Sequence, residues 1–202
     1  MSEQRDKNLW IFNAGNSFAG NPKWMFEYII RHHKEIKPVW MCYNADTMNY
    51  VHKLGYEAEL YHSSKGKSVM AKAGVYVVEM CKEVFQPELS GINVLNLWHG
   101  VGCKSIERKL TTGCFLCEQL AKKYIRNNEI FRNNQLFLVT SEIMEKHFKE
   151  QCGIDDDKVI RAGYPRCVVN DNIQSYDHDI RKKKGAPCRY QAGNLLPDLP
   201  RQ

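Results

Sequence analysis

His99 is the residue of this sequence best suited to moving a proton. It stands in Asn96-Leu97-Trp98-His99-Gly100-Val101-Gly102-Cys103-Lys104, which offers an imidazole, two glycines and an ammonium within six residues. An ordinary histidine pKa of ~6.5 suits a general base working near neutral pH. Gly100 and Gly102 let backbone N–H groups approach a ligand closely, and Lys104 adds a point charge; both suit the oxygens of a phosphate. A second polar loop, Gly15-Asn16-Ser17, could also touch phosphates, as could Arg166 in Gly163-Tyr164-Pro165-Arg166. Each feature has a plainer reading. A histidine at a strand end is often a hydrogen-bonded structural residue. The glycines could form a tight turn with no ligand, and Asn and Ser favour turns whatever they bind. Lys104 could be a solvated lysine, Arg166 could pin a connection between elements, and Trp98 reads as a core residue.

The elements that must position these residues follow from the apolar pattern. Leu9–Phe12, Pro38–Tyr43, Ala58–Tyr61, Val75–Val78, Ile92–Leu97, Gln135–Val139 and Lys158–Arg161 read as strands. Between them lie helical segments: one opening at Asn21-Pro22 with Asn21 as its cap, one over Asp46–Leu54 stopped by Gly55, and one over Lys65–Ala73 stopped by Gly74. Trp24, Met25, Tyr28 and Ile29 are the expected apolar face of the first. Ser141 is placed to cap another helix that ends at Gly153. A further amphipathic helix is expected from Ile106 to about Asn127, and it puts Cys114 and Cys117 on one face. Strands alternating with helices predict an α/β fold, a Rossmann-like parallel sheet with helices on both faces. His99 then falls at the carboxyl end of a strand, where open α/β sheets bind ligands.

Composition narrows the classes. A chain of 202 residues with 43% apolar residues supports one domain with a real core. The net charge of +6 suits an anionic partner. From Lys104 to Arg132 seven Lys/Arg stand against three Glu, a face that could lie on an anionic membrane surface or simply be solvated. The polar start, Met1-Ser2-Glu3-Gln4-Arg5, reads as having no secretory leader, and no apolar run approaches the ~18 residues of a membrane span. The eight cysteines therefore read as reduced core thiols, and no second Cys or His pair completes a metal site with Cys114 and Cys117. No carboxylate cluster suggests a protein-held metal, so no metal site or cofactor is expected. Mg²⁺ could accompany a diphosphate, though nothing here requires it. No recognised nucleic-acid-binding motif is present, and no nucleic acid partner is expected. After about Asp171 the periodicity ends and Arg181-Lys182-Lys183-Lys184 and several prolines follow, so residues 171–202 read as a basic tail or the truncated start of a second domain.

Three stretches in order resemble one family, the CDP-glycerol glycerophosphotransferases that build or prime teichoic acid polymers. Phe12 through Tyr28, with Gly15, Asn21-Pro22 and Phe26-Glu27-Tyr28, is similar to the family's amino-terminal loop and Asn-Pro-opened helix. Leu97-Trp98-His99-Gly100 with Lys104 is similar to its Trp-His-Gly-Thr-Pro-Leu-Lys, although Val101-Gly102-Cys103 replaces Thr-Pro-Leu. Val139-Thr140-Ser141, Phe148, Gly153 and Gly163-Tyr164-Pro165-Arg166 resemble its Ser-containing turn and Gly-Tyr-Pro-Arg-Asn-Asp, with Cys167-Val168 in place of Asn-Asp. The match spans roughly residues 9–170.

The resemblance implies the acceptor-side half of a GT-B transferase over residues 1–170, with the donor-binding domain absent from this chain. It implies glycerol phosphate transfer from CDP-glycerol to a lipid-linked or polyol-phosphate acceptor, with His99 as catalytic base. It also implies Gly15, Asn16, Ser17, Gly100, Gly102, Lys104 and Arg166 as substrate contacts. The expected place is cytoplasmic, peripheral at the inner face of the cell membrane. The alternatives are an inactive fragment that binds an anionic polymer, and a GT-B sugar or sugar-phosphate transferase with another nucleotide donor.

Overall fold

Runs of β-branched and aromatic residues bounded by Gly, Asn and Pro set the strands of this protein. The computed structural model describes residues 5–80, 86–102 and 135–170. In chain order these form β1 (Asp6–Phe12), α1 (Gly20–His32), β2 (Lys37–Cys42), α2 (Ala45–Lys53), β3 (Ala58–Leu60), α3 (Ser64–Lys72) and β4 (Ala73–Val78). There follow β5 (Asn93–Asn96), β6 (Gln135–Val139), α4 (Glu142–Cys152), β7 (Val159–Arg161) and α5 (Pro165–Asn170). The strands make one sheet in the order β3-β2-β1-β4-β5-β6-β7. Every pairing is parallel. This is the Rossmann-like α/β sheet that the sequence pattern predicts. The order reverses between β1 and β4, which makes that junction the topological switch point.

Side chains alternate across the sheet, so two cores form. Phe12, Trp40, Val77 and Phe137 enter one, covered by Phe26 and Ile29 of α1, Val51 of α2, and Met144 and Phe148 of α4. Ile11, Met41, Tyr76 and Val94 enter the other, beneath Met70 of α3 and Leu89 of a short 3-10 turn. Cys42 is one of the core thiols, and burial pushes its pKa up to about 11. Among the described residues no helix is long and apolar enough to cross a membrane.

Several local expectations hold. Ser141 Oγ accepts from Met144 N at 3.3 Å to cap α4; α2 is capped by Asn44, a residue without a predicted role, whose Oδ1 accepts from Thr47 N at 2.8 Å. Gly55 (φ 81°) and Gly153 (φ 66°) follow these helices in the left-handed region that a chain reversal needs.

Three expectations are corrected. Asn21 is not a cap: α1 starts at Gly20 after Ala19, which makes no side-chain cap bond. Asn21 sits in the first turn, fully buried, and its side chain is used elsewhere. The buried face of α1 is Asn21, Pro22, Phe26 and Ile29, while Tyr28 is 47% exposed; tertiary docking rather than bulk chooses the face. Gly74 does not stop a helix but lies inside β4, where a β-carbon would come within 2.6 Å of the Asp6 carbonyl oxygen on β1. The expected helix over 106–127, with Lys104, Cys114 and Cys117, and the tail 171–202 lie outside the described residues.

Candidate active site

The carboxyl ends of β1, β4 and β5 lie side by side, each one strand spacing of ~4.8 Å from the next. The ladder continues past the strands: Asn13 N donates to the Val77 carbonyl (3.0 Å) and Leu97 N to the Val78 carbonyl (2.8 Å). Glu79 therefore emerges between the Asn13–Ser17 loop on one side and Trp98-His99 on the other.

The chain turns sharply at Trp98, whose φ of 51° is unusual for a bulky side chain. Such a conformation costs on the order of 1–3 kcal/mol and persists only where the surroundings fix it. Here four contacts do so. Trp98 N donates to Asn96 Oδ1 (3.0 Å), and the Trp98 carbonyl accepts from Asn21 Nδ2 (2.7 Å). The Trp98 ring is buried against Phe148 (centroids 5.0 Å apart) and Phe137 (5.7 Å). The reading of Trp98 as a core residue holds, with the addition that it shapes the turn.

Beyond Trp98 the chain is fixed from the far end of the sequence. Arg166 Nη2 donates to the His99 carbonyl at 3.0 Å, and the Tyr164 hydroxyl donates to the Gly100 carbonyl at 2.8 Å. His99 is exposed, with one ring face stacked on Trp98 at 4.5 Å. Its backbone is anchored and its imidazole faces outward. Its pKa is lowered, first by burial and then by the nearby Arg166 charge. The shift favours the neutral ring, the form that can accept a proton.

The other predicted residues divide. His99, Gly100 and Arg166 are brought together. Gly102 passes over α4, where a β-carbon would lie 2.6 Å from His147 Nε2 and 3.3 Å from Met144 Cε, so a larger residue there would have to push those two side chains aside. Gly15, Asn16 and Ser17 lie at the end of β1, on the far side of Glu79. Their backbone is partly committed: Gly15 N donates to Asn13 Oδ1 (2.9 Å), and the Asn16 carbonyl accepts from Thr47 Oγ1 (2.8 Å). Asn16 and Ser17 are exposed and able to meet a ligand. Lys104 lies outside the described residues.

Sequence reasoning passes over Asn13 and Glu79 here and gives Asn21 the wrong role. Asn13, fully buried, clamps β1 to β2 by donating from Nδ2 to the Met41 carbonyl (2.7 Å). Asn21 ties α1 to the Trp98 turn. Glu79 Oε1 accepts from the Asn21 backbone N at 2.5 Å. Burial raises the Glu79 pKa, against the Asn21 N–H and the Arg166 charge, which lower it. A carboxylate and an imidazole with perturbed pKa values, both near one arginine at a switch point, are what an acid–base site offers. A recess of about 490 Å³ lies elsewhere, lined by Glu142, Glu145, Lys146, Lys149, Glu150 and Arg161. Glu145 of its lining pairs with Lys149 and Arg161, and none of its lining residues belongs to the His99 edge.

The family model of CDP-Glycerol:Poly(glycerophosphate) glycerophosphotransferase matches residues 1–188. No curated protein matches. Among solved structures, the chain is similar to the wall teichoic acid polymerase TagF in a histidine-to-alanine form, with TM-score 0.71 and 18% identity over 89% of this chain and 45% of that one. A histidine-to-asparagine form of TagF soaked with CDPG gives TM-score 0.70 and 17% identity over 91% and 46%. TagF itself gives 0.64 and 19% over 89% and 44%. At these identities the likeness is one of fold. The chain spans a little under half the length of these structures.

Proposed function

We propose a reaction for this chain on one premise: it belongs to the CDP-glycerol:poly(glycerophosphate) glycerophosphotransferase family, whose model matches residues 1–188 of its 202. Residues 1–170 serve as the acceptor-side half of a GT-B transferase, and the donor is held by a second domain. The donor is CDP-glycerol. The acceptor is a lipid-linked or polyol-phosphate chain, met at an anionic membrane face that the net charge of +6 suits.

In the reaction the acceptor's terminal hydroxyl oxygen attacks the β-phosphorus of CDP-glycerol. A new P–O bond forms as the bond from that phosphorus to the bridging oxygen breaks, and CMP leaves with the electron pair. The hydroxyl proton passes to the His99 imidazole. Arg166, Lys104 and the backbone at Gly100 and Gly102 offset the charge on the phosphate oxygens. Asn16 and Ser17 reach the acceptor chain behind its reacting end. One observation carries this reading: the exposed His99 is held at its own carbonyl by Arg166 and at the preceding one by Asn21, with its pKa lowered.

The test is CMP release from CDP-glycerol with a glycerol-phosphate oligomer, using this chain and a longer version carrying the second domain. His99→Ala should cut turnover of the active form by roughly 10²–10⁴ while the protein stays folded. Unchanged turnover would remove His99 from the mechanism. Binding of a polyanion by both forms with no CMP release from either would favour a binding module instead.

A further inference from the structure

The start of α1, beside the switch point of a Rossmann-like sheet, is where such folds commonly seat a phosphate: free N–H groups and the positive end of the helix dipole converge there. In this protein a carboxylate already sits in that position. Glu79 Oε1 lies 2.5 Å from the Asn21 N–H. A β-carbon on Gly20 would fall 1.8 Å from Oε1 and 2.5 Å from Oε2, so both oxygens lie against the opening of the helix. Gly20, at φ 69°, leaves room for the Glu79 head. The same Asn21 donates from Nδ2 to the Trp98 carbonyl, and it is fully buried with Oδ1 lacking a hydrogen-bond partner among the described residues. What occupies the helix start is therefore linked through one residue to the peptide that presents His99.

We propose that Glu79 is a specificity-determining residue: its carboxylate fills the anion position at the start of α1, so that the site turns away acceptor ends carrying a terminal phosphate and admits those ending in a hydroxyl. A phosphate brought to this edge would meet the Glu79 carboxylate, with the Asn21 N–H already taken. A hydroxyl meets a carboxylate that accepts hydrogen bonds, beside an imidazole that accepts its proton. The selection rests on the reading of His99 as the base for a hydroxyl acceptor, and it sets which end of a polyol-phosphate chain is extended.

Phosphate exclusion can be tested without donor or turnover, so its failure is distinguishable from failure of the transfer reaction. The chain, labelled with ¹⁵N, is titrated separately with inorganic phosphate and with glycerol while the Gly20 and Asn21 amide resonances are followed. The wild type should show no saturable shift with phosphate. Glu79→Gln, which keeps an acceptor oxygen for Asn21 but removes the charge, should bind phosphate at those amides roughly tenfold or more tightly than the wild type. Glu79→Ala, which vacates the position, should do the same. Equal phosphate binding by wild type and variants overturns the proposal, as does its absence from all three. If neither variant folds, Glu79 belongs to the fold rather than to selection, and the proposal is equally overturned.

Discussion

Two regions on the same edge of the sheet use charge in opposite ways. Across β6, β7 and α4, Glu145 accepts from Arg161 Nε (2.7 Å) and Nη2 (2.6 Å) and from Lys149 (2.5 Å), while Lys149 also pairs with Asp156. Arg161 and then Lys149 hold the Glu145 carboxyl below the usual range. Across β1, β4 and β5, Glu79 is met by one backbone N–H and is pushed up by burial. His99 is pushed down. The first region satisfies its charges among themselves and joins α4 to the edge strand. The second leaves groups whose protonation is easily changed, held on a strained turn by hydrogen bonds from distant parts of the chain. Paired charge makes structure; poised charge, fixed in place, makes chemistry.

The contrast can be broken first at its most costly point. Trp98→Ala removes a ring packed on Phe137 and Phe148 and should lower stability by about 3–5 kcal/mol in equilibrium unfolding. A loss well under 1 kcal/mol would mean the turn is held by something other than its buried ring. Asn21→Ala strips the Trp98 carbonyl of its buried donor and should cost roughly 1–3 kcal/mol. It should also lower turnover, because His99 follows directly. An Asn21→Ala protein with full turnover would show that His99 does not depend on this bond.

The two glutamates give a smaller but sharper test, because their signs differ. An unfolded glutamate titrates near ~4.3. Glu145 lies below that when folded, so its ionisation contributes stability at neutral pH that is lost as pH falls through the folded value. Glu145→Gln should flatten that acid loss and leave turnover unchanged. Glu79 lies above the unfolded value, so the folded state holds its proton longer and stability declines as pH rises from ~4.3 through the folded pKa. Glu79→Gln should abolish that decline. Stability-versus-pH curves that move in the same direction for both variants would erase the distinction between the regions.

The sequence makes the strands readable because each is a short β-branched or aromatic run, and it makes His99 readable because a strand, a glycine turn and a histidine are contiguous. It gives little sign of Glu79. That residue follows Val78 at the head of Glu79-Met80-Cys81-Lys82-Glu83 and looks like the solvated flank of a strand; its contact with Asn21 spans 58 residues. Asn21 is misread for the same reason. An Asn before a Pro at a helix start has the local chemistry of a cap, but a carbonyl 77 residues away takes its side chain. Arg166 is visible in a motif, yet its bond to the His99 carbonyl crosses 67 residues. Local pattern reports what a residue can do, and the parallel sheet decides which distant partner it meets.

His99 is proposed to act as the base from its neutral form. The pH dependence of kcat/KM for CMP release from CDP-glycerol, in a version with the donor-binding domain, tests it most directly. An acid limb below the ordinary histidine value of ~6.5 is expected, since burial and Arg166 both lower the His99 pKa, together with loss of that limb from the residual activity of His99→Gln. The same acid limb persisting in His99→Gln would contradict it.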